Sequence, residues 1–142
     1  MLREHNKDPS REPDPELDRL AHAVIGAAIE VHRHLGSGHW ERTYEKGLLR
    51  ELVLRGIQAD NQHRVAVMYK GGVIGRGRTD LLVERKLLVE IKATHQISPV
   101  HVSQVISYLK TTGLHLALIL NFNVPRLRNG IRRVILSDPK PP

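Results

Sequence analysis

Apolar residues recur at helical spacing in three segments of the chain. The first segment opens with Asp14-Pro15-Glu16, an N-cap acid followed by a proline at the first helical position, and Gly36 supplies its stop. A Ser-Pro pair at residues 98 and 99 starts the third segment in the same way. These signals predict helices over residues 15–35, over residues 41–56, and from residue 99 onward past Leu109.

Runs of branched aliphatic residues predict the strands between and after these helices. If the polar residues 84–86 form a turn, Val83 pairs with Leu87 in a β-hairpin. The order of elements then gives a three-strand antiparallel meander, a crossover helix and further strands, which is an α/β fold with a central mixed sheet flanked by helices. The predicted strands cover residues 64–69, 73–83, 87–91, 114–120 and 131–136. We expect a disordered lead-in at 1–13, one domain at 14–136 and a disordered tail at 137–142.

Three charged residues, Asp80, Glu90 and Lys92, interrupt the apolar strands of the predicted hairpin. With the turn at residues 84–86, Asp80 falls opposite Glu90 on the same face, whereas a shift of one residue would move it to the other face. Two carboxylates and an ammonium then converge, which suits a divalent metal on the acids and a lysine beside metal-bound water. The alternative is ordinary, because Glu-x-Lys on a strand is usually a solvated ion pair.

Two helices carry further candidates. Glu41 and Tyr44 are three residues apart and share one face of the second helix, although Glu41 could equally be a first-turn acid that answers the helix dipole. Gln104 and Tyr108 are one turn apart and lie off the apolar stripe of the third helix, where the alternative is a solvated flank. We interpret Trp40 as a core or hinge residue.

Arg76 and Arg78 stand beside Asp80, and glycines alternate with them at positions 75 and 77. Glycines inside a strand predict a β-bulge or a close approach of a ligand to the backbone. The two arginines are the first candidates for contacts with phosphate groups. Next come the arginines near the C-terminus: Arg126, Arg128, Arg132 and Arg133.

Composition narrows the class of protein. The 142-residue chain is 40% hydrophobic and has no apolar run long enough to span a membrane, so we expect a cytoplasmic globular protein. The absence of cysteine excludes disulfides and thiolate sites. Carboxylates, carbonyls or histidines must therefore hold any metal, which favours Mg²⁺ or Mn²⁺. None of the nine histidines forms a His-Glu-x-x-His motif, so a histidine metalloenzyme is disfavoured.

The charge balance points to a polyanionic partner. The formal net charge is +7, from 22 Lys and Arg against 15 Asp and Glu, and such a balance favours nucleic acid. Aromatic residues make up only 4% of the chain. We therefore expect contacts mainly to phosphates, and a base-stacking platform is disfavoured.

With these residues identified, the chain resembles the GxxExxY protein family, a branch of the PD-(D/E)XK nuclease superfamily. The motif Gly38-x-x-Glu41-x-x-Tyr44 carries this resemblance, which covers residues 20–136. The resemblance implies a restriction-endonuclease-like fold in which the equivalents of Asp80 and Glu90 bind the metal and the equivalent of Lys92 assists the attacking water. Later segments match as well: Asp80-Leu-Leu-Val-Glu, Val89-Glu-Ile-Lys-Ala, Gln104-Val-Ile-Ser-Tyr-Leu, Leu120-Asn-Phe and Gly130-Ile-Arg-Arg.

These observations lead us to expect a phosphodiesterase that depends on Mg²⁺ or Mn²⁺ and acts on nucleic acid, most simply DNA. Asp80 and Glu90 are the expected metal ligands, with help from the carbonyl of Ile91 and from Glu41. Gln104, Tyr108 and Tyr44 are expected to contact the substrate or support the acids, together with Arg76 and Arg78. The alternative is a non-catalytic module of the same fold that binds nucleic acid or a protein. A homodimer is compatible with either.

Overall fold

The computed structural model describes residues 14–137, which form three α-helices, a short 3-10 helix and one five-stranded sheet. The predicted lead-in and all of the predicted tail except Ser137 lie outside the described residues. None of the helices in the described range is long and apolar enough to cross a membrane. The elements in chain order are α1 (Pro15–Leu35), α2 (Glu41–Leu54), β1 (Ala59–Tyr69), β2 (Gly72–Val83), β3 (Leu87–Lys92), α3 (Pro99–Thr112), β4 (Leu116–Asn121), the 3-10 helix (Leu127–Gly130) and β5 (Ile131–Ile135).

The helix boundaries follow from local capping, largely as predicted. The Asp14 carboxylate accepts a hydrogen bond from the Leu17 N–H at 2.9 Å, and Gly36 ends α1 with a positive φ of 70°. Helix α2 ends at Leu54, two residues before the predicted end. Gly56 follows it at a φ of 71°, a conformation that suits glycine after a helix C-terminus.

The sheet has the strand order β1-β2-β3-β4-β5, and only the β3–β4 pair is parallel. The predicted meander, crossover helix and mixed sheet are therefore confirmed. The predicted pairing of Val83 with Leu87 is also confirmed. Glu84 and Arg85 both adopt positive φ, which lets the chain reverse tightly between the two strands. Strand β1 begins at Ala59, five residues before the predicted start, because the polar residues 60–63 carry no strand signal although this segment pairs with β2.

Two apolar layers hold the helices on opposite sides of the sheet. On one side α1 and α2 pack on alternate residues of the central strands, such as Leu81, Val89 and Leu118. On the other side α3 packs on the residues between them, such as Leu82 and Leu88. Every residue of β4 is buried, as expected for a strand covered on both faces.

Candidate active site

The hairpin of β2 and β3 has two chemically different ends. At the closed end, next to the turn, Leu81 pairs with Val89 and the ladder runs regularly to Val83 and Leu87. At the open end, which we define as residues 79–80 of β2 and 90–92 of β3, carboxylates accept the hydrogen bonds. The Ile91 N–H donates to Asp80 Oδ2 at 2.7 Å, and the Asp80 N–H donates to Glu90 Oε1 at 3.2 Å. The two acids thus meet where the strands separate.

Burial and a neighbouring carboxylate destabilise the charged form of each of the two acids. Glu90 is 6% exposed, and its burial, followed by the charge of Asp80, raises its pKa to about 7. Burial also raises the pKa of the half-buried Asp80, although the hydrogen bond from Ile91 opposes the rise. Neighbouring acids whose pKa values are raised in this way are a common sign of a functional site.

Lys92 and Glu41 complete the charged cluster. The ammonium of Lys92 lowers the pKa of both Asp80 and Glu90, so it lies within electrostatic reach of each acid. Glu41 Oε2 accepts a hydrogen bond from the Ala93 N–H at 3.2 Å, and its charge raises the pKa of Asp80. Helix α2 therefore brings Glu41 to the end of β3, although about fifty residues separate them in the chain.

Tyr44 ties the loop that contains Gly38 to helix α2, three residues after Glu41. Its hydroxyl donates to the Gly36 carbonyl and accepts from the His39 N–H at 3.2 Å, and its ring stacks on Phe122 with centroids 4.4 Å apart. Because Tyr44 is fully buried, a direct contact with substrate, which we considered, is not available to it. It instead holds the loop before α2 and so positions Glu41.

Tyr108 is also buried, which corrects the expectation that it lies off the apolar face of α3. It packs directly on Gly77, where an added Cβ would lie 2.8 Å from the Tyr108 Cζ. The glycine thus serves a close approach by Tyr108 and not by a ligand. Burial and the charges of Glu90 and Asp80 raise the pKa of Tyr108, so its ring is close to both acids. Gln104 is exposed, and within residues 14–137 its side chain makes no hydrogen bond.

Several residues around the acids were not predicted. Gln62 adopts a positive φ of 52° and donates to Glu45 at 2.8 Å and to Asp80 at 3.4 Å. The buried Thr79 hydroxyl lies beside Glu90, and its interaction with the carboxylate lowers the pKa of Glu90 and so opposes the rise. Asn121 binds both backbone polar groups of Thr94 and so holds the loop after Lys92. The sequence contains no periodic signal for these contacts, because they join distant polar residues.

The arginines divide into separate groups. Arg76 and Arg78 are exposed and, with Arg64 and Gly77, line a cavity of about 240 Å³ beside the open end. Arg126 and Arg128 line a different cavity, next to α1. Arg133 is half-buried, and its guanidinium binds the Asp18 carboxylate at 2.7 Å. It is therefore not available for the phosphate contact that the sequence analysis predicts. Arg132 lines a further cavity near Asn121.

Trp40 is 83% exposed, so the expectation that it is a core residue is wrong. It occupies the N-cap position of α2 but makes no capping hydrogen bond. With Glu41 and Arg42 it lines a cavity of about 570 Å³ that also includes Ala93.

The donor atoms at the open end fit a hard divalent cation. Two carboxylates with raised pKa values are the kind of oxygen donors that Mg²⁺ and Mn²⁺ bind. Among residues 14–137, no group of three or more His, Asp or Glu side chains is arranged to hold a metal. Within the described residues, Glu41 therefore does not join Asp80 and Glu90 as a third carboxylate, contrary to the expectation for a metal ligand. Mg²⁺ sites commonly use one or two carboxylates together with waters and substrate phosphates.

The chain is similar in sequence to a family of known proteins. A family model described as the PD-(D/E)XK nuclease superfamily matches residues 18–134. No curated protein matches the chain. A solved structure titled "Crystal structure of SSO0001" is similar over 71% of this chain and 50% of its own, with 18% identity and a TM-score of 0.49. The chain thus spans about half the length of that structure.

Proposed function

Because the chain belongs to the PD-(D/E)XK nuclease superfamily, we propose that it hydrolyses phosphodiester bonds in DNA with Mg²⁺ or Mn²⁺. Its mixed sheet flanked by helices is the restriction-endonuclease-like fold of that superfamily. The observation that carries the proposal is the meeting of the Asp80 and Glu90 carboxylates beside Lys92 where β2 and β3 separate. The alternative, a solvated ion pair between Glu90 and Lys92, would not bury the acids or raise their pKa values.

Asp80 and Glu90 hold the cation, with the Ile91 carbonyl as a further oxygen donor. A bound divalent cation supplies Lewis acidity toward the phosphate and makes water a better nucleophile. It also offsets the repulsion between the two carboxylates, which is why their raised pKa values support this role. Glu41 acts from outside this pair, through its hydrogen bond to the Ala93 N–H.

Lys92 orients the attacking water or takes its proton. Its position supports this role because it is the cation whose charge acts on both acids. Tyr108 lies within electrostatic reach of the same acids and helps to keep Glu90 in place, whereas Tyr44 acts only through the loop that carries Glu41. Gln104, one turn before Tyr108 and exposed, contacts the DNA backbone.

The exposed Arg76 and Arg78 bind phosphates on either side of the cleaved bond. They lie on β2 just before Asp80, and with Arg64 they form a cluster of three positive charges. Arg64 and Arg78 are direct neighbours across β1 and β2, and like charges so placed repel each other. A polyanion relieves that repulsion. Within the superfamily, we assign the chain to the GxxExxY branch, because Tyr44 gives its signature residues a shared structural role.

Cleavage assays with matched lysine variants test the proposal. Labelled linear and circular DNA are incubated with wild type, Lys92→Ala or Lys110→Ala in Mg²⁺, Mn²⁺ or EDTA. We expect cleavage with either metal and none in EDTA. Lys92→Ala should lower the rate by on the order of a hundredfold, the usual contribution of a positioned acid or base. Lys110 is an exposed lysine in the last turn of α3, so Lys110→Ala should cleave normally.

The alternative, a non-catalytic module that binds nucleic acid, makes a different prediction. Wild type would then cleave neither DNA nor RNA with either metal, and Lys92→Ala would bind DNA as tightly as wild type. Metal binding itself, measured by calorimetry with Mn²⁺, should persist in Lys92→Ala because both carboxylates remain. Loss of cleavage with retained metal binding would thus assign Lys92 to the reaction and not to the site's assembly.

A further inference from the structure

Trp40 is the most exposed large apolar residue in the described part of the chain, at 83% exposure. Its side chain makes no capping bond to α2, and no aromatic ring contacts it within residues 14–137. Folding therefore gains little from an indole at this position. Exposed tryptophans are typical of binding surfaces, because the indole offers a large rigid face for another ring.

The position of Trp40 relative to the candidate active site is specific. Trp40, Glu41, Arg42, Ala93 and Asn123 are among the residues that line one open cavity of about 570 Å³, a volume within the usual range for ligand sites. The hydrogen bond between the Ala93 N–H and Glu41 ties this cavity to the end of β3, one residue beyond Lys92. A group bound in the cavity would thus lie next to the phosphate that the acids and Lys92 address.

The chemistry of the cavity suits a nucleotide. Arg42 is exposed, and within residues 14–137 its side chain has no ion pair or hydrogen bond. The whole chain carries a net charge of +7. An indole face and an unpaired guanidinium that line the same cavity match a base and its phosphate.

We propose that Trp40 stacks on an unpaired base next to the scissile phosphate while Arg42 binds the neighbouring phosphate, so that the protein selects single-stranded or frayed DNA. This inference rests on the proposed nuclease function. The bases inside a duplex are already stacked on each other and cannot offer a face to Trp40. The low aromatic content of the chain disfavours an extended stacking platform, but one ring beside the site is sufficient for this preference.

The chain contains a single tryptophan, so its intrinsic fluorescence reports on Trp40 alone. Wild type in EDTA is titrated with a single-stranded oligothymidylate and with a blunt hairpin duplex of equal length. We expect quenching with the single strand and little with the duplex. In parallel, anisotropy of labelled oligothymidylate measures affinity for Trp40→Phe and Trp40→Leu. Trp40→Leu should bind about tenfold more weakly, whereas Trp40→Phe should stay within about threefold, because it keeps an aromatic face.

The matched control is Tyr69→Leu. Tyr69 is an aromatic residue that is 56% exposed at the turn between β1 and β2, and its replacement should leave the affinity for the single strand unchanged. Thermal melts of Trp40→Leu should match those of wild type, since the indole makes no buried contact. Equal binding of the single strand and the duplex without quenching overturns the inference, and so does an unchanged affinity of Trp40→Leu.

The outcome separates this inference from the proposed function. If wild type cleaves DNA in Mg²⁺ but Trp40→Leu keeps the same preference between single strand and duplex, only the stacking role is wrong. If wild type neither cleaves nor binds DNA, the nuclease proposal is wrong and the stacking role falls with it. A preference for single strands that Trp40→Phe retains and Trp40→Leu loses supports both.

Discussion

The closed and open ends of the β2–β3 hairpin are built from the same two strands but are stabilised differently. At the closed end, Leu81, Val83, Leu87 and Val89 pair in a regular ladder and are buried under α1 and α2. At the open end the ladder is replaced by hydrogen bonds from backbone N–H groups to carboxylates. Apolar burial thus provides the free energy of folding at one end, which allows two acids to be held in an unfavourable pairing at the other.

The largest expected effect comes from Asp80→Asn at the open end. The substitution removes a charged metal ligand. A bound metal stabilises the transition state by several kcal/mol, so the rate of cleavage should fall by about a thousandfold or more. The melting temperature in EDTA should rise modestly, because the charge that raises the pKa of Glu90 is gone. Activity assays and calorimetric melts measure both.

Asp60→Asn is the matched control for this change. Asp60 is an exposed acid on β1 with an ion pair to Arg85 at 3.7 Å, and its replacement should leave cleavage unchanged. A large fall in the melting temperature of Asp80→Asn would mean that the acid supports the fold, contrary to the comparison of the two ends.

The closed end should respond in stability and not in chemistry. Leu81 is fully buried in the layer under α1 and α2, so Leu81→Ala should lower the free energy of unfolding by about 2 to 5 kcal/mol. Leu54→Ala makes the same chemical change at a residue that is 64% exposed and should cost less than about 0.5 kcal/mol. Urea unfolding measures both values. Equal losses in the two variants would contradict the assignment of stability to the closed end.

The pH dependence of stability should reveal the acid pair. Burial and the charge of Asp80 raise the pKa of Glu90 from 4.5 to about 7 in the folded protein. Between these pH values the folded chain binds the proton that the unfolded chain has released. The contribution of Glu90 to stability in EDTA is therefore fully present below about pH 4.5. It is lost as the pH rises through about 7, which lowers the free energy of unfolding by about 3 kcal/mol at most.

Glu90→Gln isolates this contribution from that of other titrating groups. The variant keeps an oxygen that can accept from the Asp80 N–H but has no proton to lose. The difference in unfolding free energy between wild type and Glu90→Gln, measured by urea titration at pH 5 and pH 8, should therefore change with pH. A difference that is the same at both pH values would show that Glu90 titrates normally.

The smallest effect is expected where α3 meets the open end. In Gly77→Ala the new Cβ would meet the Tyr108 hydroxyl and ring, so stability should fall by about 1 to 3 kcal/mol. Gly75→Ala is the control, because its Cβ would have Val67 as a neighbour at 3.8 Å, an ordinary contact. Adding Tyr108→Phe to Gly77→Ala removes the nearest atom and should restore part of the loss. No recovery in the double variant would place the strain elsewhere.

Local signals were sufficient to predict much of this architecture. The caps at Asp14 and Ser98 and the turn at residues 84–86 depend on a few neighbouring residues, so the helix starts and the hairpin register could be predicted correctly. The first half of β1 was missed because its residues are polar and obtain their hydrogen bonds from β2. Tyr108 and Trp40 were misjudged for a related reason, since burial depends on which surface another element covers.

The sequence by itself determined which acids and which lysine lie near one another on β2 and β3, because hairpin pairing relates residues at a fixed register. It could not determine that the ladder opens at Asp80, that α2 brings Glu41 to Ala93, or that Tyr108 rests on Gly77. These contacts join residues that are far apart in the chain, and they depend on how the helices pack on the sheet. Only the tertiary structure decides them, since a short-range pattern contains no information about which distant surface will cover it.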